Sequence, residues 1–387
     1  MLVVIADDLT GAAELGGLGL KRHLPVEINM QVPAATEAEL LVVATDTRSC
    51  PEAEAVRETV QVTEAVARLQ PALIFKKIDS VLRGHVLAET AAQMRVLGLQ
   101  RALIVPSNPA LGRTIKDGIY YFNGKPIHQS SFAHDPEFPV SSSRVTDMLR
   151  AKDTPVHLLR KDQALPASGI IVGEVQTEED LQAWAAKVDG QTLLVGASGF
   201  FTAVLQTLSL PAENNKAPMA PPQLSFQKPS LFVSGTTFGK SRNALKAEKA
   251  RGGPVSYMPA ALANAPFPEQ EPLERWKREV LSFLNEHQTA LVAIDPDTAT
   301  GAEASAASLR QKMALAMQKV FAEAPISELL IEGGATASAI LRQLGLTRFF
   351  PLQELAPGVI RMRTPSGVCI TLKPGSYDWP KGVVKGQ

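Results

Sequence analysis

Residues 2–11 read LVVIADDLTG, and they show the pattern from which the fold class is predicted. It begins with a short apolar run, Leu2–Ala6, which ends at two adjacent carboxylates and a glycine at the entry to a helical pattern. Short apolar runs of the same kind alternate with longer amphipathic stretches along most of the chain. This alternation is typical of parallel strands joined by crossover helices, so the sequence predicts α/β architecture with mainly parallel sheets.

The predicted strands fall into two groups. They are Leu2–Ala6, Leu40–Thr45, Leu73–Lys76, Ala102–Val105, Gly169–Gly173 and Thr192–Gly196, followed by Leu231–Ser234, Leu291–Ile294 and Leu329–Glu332. Between the groups, residues 211–229 are rich in Pro, Asn, Gln and Lys, and their apolar residues do not recur at helix or strand spacing. This composition predicts a linker. We therefore expect α/β domains over residues 1–210 and 230–387, with the active site in the cleft between them.

Length and composition set outer limits on the function. At roughly 150 residues per domain, 387 residues correspond to two or three domains. Lys and Arg total 39, as do Asp and Glu, so no net charge draws the protein to nucleic acid or an anionic membrane. Cys50 and Cys369 lack zinc-ligand spacing, and no apolar run approaches the roughly 18 residues of a membrane span. We expect a cytoplasmic protein without nucleic-acid or membrane partners. The sequence leaves open whether it forms a homo-oligomer.

Polar residues follow three predicted strands of the first domain. In open α/β sheets, ligands bind outside the carboxyl ends of the strands, so these positions are candidates for a site. They are Asp7, Asp8, Thr10 and Gly11 after the first strand, Asp46, Thr47 and Arg48 after the second, and Lys77, Ile78, Asp79, Ser80, Arg83 and Gly84 after the third. Arg and Lys can hold a carboxylate, and Asp accepts hydrogen bonds from sugar hydroxyls. The set predicts a site for a small hydroxylated anion.

Each of these residues also has a purely structural interpretation. Asp8 or Thr10 can cap the helix that follows the first strand. Arg48 and Arg83 can form salt bridges at the surface. The interpretation as a site depends on the three strand ends meeting at one edge of the sheet.

Glycine turns follow two predicted strands of the second domain. Residues 235–241 read GTTFGKS, and residues 333–338 read GGATAS. A strand, a glycine turn and a helix direct backbone N–H groups at a phosphate. The first turn differs from a P-loop because three residues, instead of four, separate its glycines. A further turn, at Gly375, ends the last apolar run.

One region departs from the strand and helix alternation. Residues 106–135 are rich in Gly, Pro, Asn and His, and Ile119–Ile127 predicts a hairpin that turns at Asn123 and Gly124. Long excursions of this kind are often functional, although a surface hairpin without a role is the alternative. The histidines occur singly, so they predict no metal site.

The sequence resembles the four-carbon acid sugar kinase family, whose members phosphorylate threonate, erythronate or 3-oxo-tetronate with ATP. The resemblance is carried by VIADDLTGA at 4–12, KKIDSVLRG at 76–84, PALGRTIKDGIYYFNGKPIHQSSFAHDP at 109–136, LLVGASG at 193–199 and IEGGATASAI at 331–340. The first two motifs occur in order and at the right separation, which makes the pair specific.

The resemblance implies an acid-sugar-binding N-terminal domain and a nucleotide-binding C-terminal domain that uses ATP and Mg²⁺. By position, Asp7, Asp8, Arg48, Lys77, Ile78, Asp79 and Ser80 would touch the sugar acid, and Ser234, Thr236, Gly333, Gly334, Ala335, Thr336 and Gly375 would touch ATP. Arg48, with Lys77 or Arg83, would hold the substrate carboxylate, and Asp8 or Asp79 would accept the proton of the terminal hydroxyl. Mg²⁺ would be held mainly by ATP and water.

Two other functions are weighed against the kinase. The family commonly has GGET where residues 333–336 read GGAT, which removes a carboxylate near the expected phosphates. This change favours, as the second hypothesis, a non-catalytic sensor that binds a sugar acid or a nucleotide. A dehydrogenase fits poorly, because the first strand leads into DDLTG instead of GxGxxG.

Overall fold

The computed structural model describes residues 1–135, 137–151, 154–208, 225–236, 239–266, 270–295, 297–301, 303–375, 377–380 and 383. The chain separates into two units, Met1–Ala217 and Pro218–Gln387. Both units are α/β with mostly parallel sheets, as the sequence predicts. The expected domain bounds and the linker at 211–229 stay predictions, because residues 211–224 lie outside the described ones.

The first unit contains a large sheet, its helices and a small separate sheet. Its strands are β1 Leu2–Ala6, β2 Val26–Asn29, β3 Leu40–Ala44, β4 Leu73–Lys77, β5 Arg101–Val105, β6 Arg113–Lys116, β7 Ile119–Phe122, β8 Lys125–Pro126, β9 Val156–Leu159, β10 Gly169–Gly173 and β11 Thr192–Gly196. Its α-helices are α1 Leu9–Lys21, α2 Glu52–Arg68, α3 Val86–Leu97, α4 Val145–Met148, α5 Glu178–Ala185 and α6 Ser198–Thr207. Short 3₁₀ helices span Pro109–Leu111, Ile127–Gln129 and Ser131–His134.

The large sheet of this unit is parallel, in the order β2-β3-β1-β4-β11-β5-β10-β9. Every residue of β1 and β3 is buried, as expected for strands that helices cover on both faces. The chain leaves β1 through α1 toward β2, and it leaves β4 through α3 in the opposite direction. The carboxyl ends of β1 and β4 therefore flank a topological switch point, where open α/β sheets bind ligands.

The predicted hairpin is present and forms part of a small antiparallel sheet, β6-β7-β8. Asn123 and Gly124 turn between β7 and β8 with φ of 49° and 76°. Asp117 and Gly118 make a similar turn between β6 and β7, a second Asp-Gly signal that the sequence analysis did not use. The Tyr120 hydroxyl donates a hydrogen bond to the Ser80 carbonyl, so this sheet packs onto the loop after β4.

The second unit has a mixed sheet. Its strands are β12 Ser230–Ser234, β13 Val255–Tyr257, β14 Thr289–Ala293, β15 Glu328–Glu332, β16 Arg348–Ala356, β17 Val359–Arg363 and β18 Cys369–Lys373. Its helices are α7 Gly239–Ala250, α8 Ala260–Ala263, α9 Gln270–His287, α10 Ala306–Glu323 and α11 Gly334–Gln343. No helix within the described ranges combines the length and the apolar character needed to cross a membrane.

The strand order β13-β14-β12-β15-β18 is parallel, and β18-β17-β16 continue it as an antiparallel edge. The chain leaves β12 through α7 toward β13, and later crosses through α10 to β15 on the other side of β12. The carboxyl ends of β12 and β15 form the switch point of this unit. The glycine turns at Gly235 and Gly333 lie directly after these two strands.

Candidate active site

The polar residues after β1, β3 and β4 meet at one edge of the first unit's sheet. Arg48, after β3, donates from Nε to Asp7 Oδ2 at 3.0 Å, and from Nη2 to Asp7 Oδ1 and Asp8 Oδ1, both at 2.8 Å. Its Nη1 lies 3.9 Å from Asp79 Oδ1, after β4. The structure thus brings together residues from three strand ends. Arg48 is not at the surface, since its side chain is only 15% exposed.

Asp8 has the capping role that the sequence also allows. It is the N-cap of α1, and its Oδ1 accepts a hydrogen bond from the Gly11 backbone at 3.0 Å. The Thr10 hydroxyl donates to Asp8 Oδ2. A Cβ at Gly11 would lie 2.6 Å from Asp8 Oδ1, so this close approach requires glycine. Asp8 therefore caps a helix and faces Arg48 with the same carboxylate.

Asp79 is enclosed by donors. Its carboxylate accepts two bonds from the Arg83 guanidinium, both at 2.8 Å, and bonds from the backbone N–H groups of Val81 and Arg83 at 3.2 and 3.1 Å. Arg83 Nη1 also donates to Asp135 at 2.7 Å. Asp79 thus fixes both the turn after β4 and the direction of the Arg83 side chain.

The three carboxyls of the cluster differ in pKa. Burial raises the pKa of Asp7 above its usual value, and the opposing charge of Arg48 does not reverse this. Burial also acts to raise the pKa of Asp8, but the charges of Arg48 and Lys77 hold it below its usual value. At Asp79, the charge and hydrogen bonds of Arg83 outweigh burial and lower the pKa much further. Asp79 is therefore the weakest proton acceptor of the three.

The remaining predicted residues after β4 have different surroundings. Lys77 is the last residue of β4, one position beyond the predicted strand end, and its Nζ donates to the Ile78 carbonyl at 3.0 Å. The Ile78 side chain packs in the hydrophobic core, so its contact with a ligand would come from the backbone. The Ser80 hydroxyl accepts a bond from Arg113 Nη1 at 2.7 Å. Arg113 is not among the residues predicted for this site, although it lies in the motif at 109–136.

The two glycine turns of the second unit lie against each other. A Cβ at Gly235 would come within 1.9 Å of Thr336 Oγ1, so only glycine fits there without a shift. Gly333 has a φ of +102°, a conformation that favours glycine. It precedes α11, whose first turn has no side-chain cap. The N–H groups of that turn are available to an anion, as at phosphate-binding helix termini.

A buried ion pair lies beneath these turns. Lys373, at the end of β18, is 2.8 Å from Glu332, at the end of β15, and both residues are 0% exposed. Glu332 also accepts hydrogen bonds from the hydroxyls of Ser234 and Ser241, and Lys373 donates to the Gly375 carbonyl at 3.3 Å. The pair therefore connects β12, β15 and the turn at Gly375. This ion pair was not predicted from the sequence, because charged residues at strand ends usually face solvent.

A pocket opens beside β12, lined in part by Ser234, Thr236, Arg242, Lys246, Tyr257 and Asp295. Two of these residues, Ser234 and Thr236, are predicted nucleotide contacts. The described lining does not include Gly333, Gly334, Ala335, Thr336 or Gly375. Arg242 and Lys246 are paired with Asp297. Among the described residues, no group of three or more His, Cys, Asp or Glu side chains could hold a metal ion.

Comparison with known proteins divides the chain in a similar way. The family model described as a sugar-binding N-terminal domain matches residues 2–204, and that described as a nucleotide-binding C-terminal domain matches residues 231–377. The first range contains the cluster around Arg48, and the second contains both glycine turns and the buried pair of Glu332 and Lys373.

Curated relatives match over most of their length. A D-threonate kinase of Salmonella typhimurium is 27% identical, with 92% of this chain and 89% of that protein covered. A D-erythronate kinase of Heliobacterium modesticaldum is 28% identical, with 74% and 69% covered. A 3-oxo-tetronate kinase of Brucella melitensis is 24% identical, with 97% and 92% covered.

Solved structures share the fold. A Haemophilus influenzae protein is 18% identical with a TM-score of 0.69, and the match covers 97% of both chains. A protein of Salmonella typhimurium LT2 is 19% identical with a TM-score of 0.73, covering 97% of this chain and 96% of that one.

Proposed function

This chain belongs to the four-carbon acid sugar kinase family and is by class a sugar acid kinase, and from that premise we propose its reaction. It transfers the γ-phosphoryl group of ATP to the terminal, 4-hydroxyl of a four-carbon sugar acid such as threonate, erythronate or 3-oxo-tetronate. The observation that supports this most strongly is the cluster of Asp7, Asp8, Arg48 and Asp79 at one sheet edge, within the residues matched as sugar-binding.

The sugar acid binds among the residues after β1, β3 and β4. Carboxylates of Asp7 and Asp8 accept hydrogen bonds from substrate hydroxyls, and Arg48 holds both carboxylates in place. Asp8 accepts the proton of the reacting hydroxyl. Asp79 is assigned a positioning role instead, because its oxygens are already engaged by Arg83 and by backbone donors. Lys77, Ser80 and Arg83 complete the lining of this site.

ATP binds in the second unit with Mg²⁺ as its counter-ion. The turns at Gly333–Thr336 and Gly375, with Ser234 and Thr236, receive the phosphates largely through backbone N–H groups. Ala335 offers no carboxylate to the ion, and phosphate oxygens and water hold most of its coordination sphere. Phosphoryl transfer of this kind depends mainly on positioning and charge neutralisation, which both sites can supply.

The partners of the protein are small molecules in this proposal, and the compartment is the cytoplasm. Cys50 and Cys369 are free in the structure, in agreement with a reducing environment. The balanced total of 39 basic and 39 acidic residues provides no general attraction to nucleic acid or to an anionic membrane.

The proposed function is tested by ADP release from the purified full chain. The assay supplies Mg-ATP with D- and L-threonate, D- and L-erythronate and their 3-oxo forms, and glycerate as a length control. Turnover of a four-carbon acid well above that of glycerate is expected. If no acid is turned over but one raises the melting temperature without ATP, the proposal is overturned in favour of a non-catalytic sensor, which the GGAT turn would then explain.

A further inference from the structure

Three arginines lie near the candidate sugar-acid site, and they differ in their partners. Arg48 faces the carboxylates of Asp7 and Asp8. Arg83 faces Asp79 and Asp135. These two guanidinium groups already have protein carboxylates as counter-charges. A substrate carboxylate bound to either one would have to compete with them.

Arg113 has no such counter-charge. In the part of the chain that the structure describes, no carboxylate lies within ion-pair distance of it, and its Nη1 donates only to the Ser80 hydroxyl. Arg113 is nevertheless 9% exposed, and its Nε is buried without a hydrogen-bond partner. A buried cation without an anion is costly, so this position favours a ligand that brings a negative charge.

The position of Arg113 is fixed by its surroundings. Its backbone N–H donates to the Asn108 carbonyl at 3.0 Å and its carbonyl accepts from Asn108 at 2.9 Å. Its guanidinium carbon lies 5.6 Å from the centre of the Phe132 ring. The guanidinium carbon of Arg83 lies 5.9 Å from the centre of the same ring. The guanidinium is therefore held in place before a ligand arrives, which reduces the entropy lost on binding.

Further polar groups lie directly after β5 and β11. Ser107, directly beyond β5, is 0% exposed and its hydroxyl has no hydrogen-bond partner. Asn108 donates from Nδ2 to the hydroxyl of Ser198, the first residue of α6, at 3.2 Å. Helix α6 starts without a side-chain cap, so its first N–H groups add a partial positive charge. A Cβ at Gly199 would lie 3.3 Å from the Ser107 carbonyl, so this turn packs closely against the loop.

We propose that Arg113, with the Ser80 and Ser107 hydroxyls and the N-terminus of α6, binds the carboxylate of the sugar acid. The inference rests on the proposed function and deepens it, because it assigns the two ends of the substrate. The carboxylate lies toward β5 and β11, and the hydroxyl end lies toward Asp8. Arg48 with Lys77 or Arg83, the clamp expected from the sequence, instead orders the protein's own carboxylates.

The experiment compares threonate and erythronate with the neutral analogues in which the carboxylate is replaced by a hydroxymethyl group, threitol and erythritol. For Arg113→Met, kcat/KM for the acid is expected to fall about 100-fold, the loss typical of an ionic hydrogen bond in a buried site. The kcat/KM for the neutral tetritol and the KM for Mg-ATP are expected to stay within twofold. Arg144→Met, at an exposed arginine bridged to the same small sheet, is the matched control and should change neither value.

An unchanged preference of Arg113→Met for the acid over the tetritol would overturn the inference. If Arg113→Met does not fold, Arg113→Lys replaces it; this variant keeps the charge but loses the forked donors, and a raised KM for the acid alone is expected. Calorimetric titration of threonate into both proteins without ATP separates the two claims. If wild type binds the acid, Arg113→Met does not, and neither turns it over, the proposed function fails and the carboxylate site stands.

Discussion

The switch points of the two units present different groups to a ligand. In the first unit, Asp7 and Asp8 follow β1 and Asp79 follows β4, so charged side chains occupy the crevice. In the second unit, Gly235 follows β12 and Gly333 follows β15, and backbone occupies the equivalent place. Side chains can distinguish one arrangement of hydroxyls from another, whereas backbone N–H groups suit any phosphate. In the proposed function, the same topology thus supplies a selective site in one unit and a general anion site in the other.

The ion pairs of the two sites also differ, in how far they are exposed to solvent. Arg48 and Arg83 are 15% and 23% exposed, so their bonds can rearrange when a polar ligand enters. Glu332 and Lys373 are fully buried, and they hold the glycine turns from below. We infer that the first site adapts to its ligand and that the second is rigid before its ligand binds. Substitutions that affect one site and spare the other test this contrast.

The largest effect is expected for Asp8→Asn. Loss of the proton acceptor should lower kcat by about 100- to 10,000-fold. Asparagine is also a good N-cap, so α1 should be kept, while loss of the ion pair with Arg48 should lower the melting temperature. Steady-state kinetics measure kcat, and thermal unfolding measures the melting temperature. A variant that keeps near wild-type kcat would remove Asp8 from the role of base.

The next effect is on stability, at Asp79. Asp79→Asn weakens the pair with Arg83, which keeps Asp135 as a partner, and is expected to lower the free energy of unfolding by roughly 1.5–3 kcal/mol at neutral pH. The pKa of Asp79 in the fold is depressed, so its contribution is present above the unfolded pKa of about 3.9 and is lost as pH falls below it. The difference between wild type and variant should therefore shrink at acid pH.

Urea unfolding of both proteins across a pH series measures this difference. Asp162→Asn, at a side chain that is 69% exposed, is the control and should have little effect at any pH. A stability difference that does not change between neutral pH and the acid range would show that the charge of Asp79 is not what stabilises the turn after β4.

A smaller effect, confined to the nucleotide, is expected for Gly235→Ala. The added Cβ would meet Thr336, and relieving the clash should displace the turn at a cost of about 1–3 kcal/mol. This corresponds to a loss of roughly 5- to 150-fold in kcat/KM for Mg-ATP, with the KM for the sugar acid unchanged. Gly239→Ala is the control, because nothing lies within 4 Å of its added Cβ. Equal effects of the two substitutions would contradict the role of the turn.

The smallest effect is expected for Thr10→Val. The Thr10 hydroxyl donates to Asp8 and helps to lower the pKa of that carboxyl, so its removal should raise the pKa. The acid limb of kcat/KM against pH should then move to higher pH, with a loss of about 1 kcal/mol in the hydrogen bond itself. Thr10→Ser keeps the donor and should retain the wild-type profile. An acid limb that stays in place would argue against titration of Asp8 in this range.

The sequence predicts those parts of the fold that depend on local pattern. The bounds of Leu2–Ala6, Gly169–Gly173 and Thr192–Gly196 agree with the structure, because strands covered on both faces are short continuous apolar runs. The edge strand β16, Arg348–Ala356, was not predicted, since most of its residues are only half-buried and show no clear alternation.

Contacts between distant segments could not be predicted in this way. Arg113 reaches Ser80 only because a separate small sheet packs onto the loop after β4, and no spacing in the sequence encodes that contact. The pairing of Glu332 with Lys373 depends on β15 and β18 being parallel neighbours in the sheet, in a register that places these two residues opposite each other. The fold class and the strand-end residues were accessible from sequence, and the partners of the charged groups were not.

In the proposed reaction, the carboxylate is held at one end of the substrate while the far hydroxyl accepts the phosphoryl group of ATP. Proton–phosphorus correlation spectroscopy of the product formed from Mg-ATP and the preferred four-carbon acid tests this claim directly. We expect one new phosphate ester whose phosphorus couples to the two protons on carbon 4. Coupling to a single proton on carbon 2 or carbon 3, or inorganic phosphate as the only product, would contradict it.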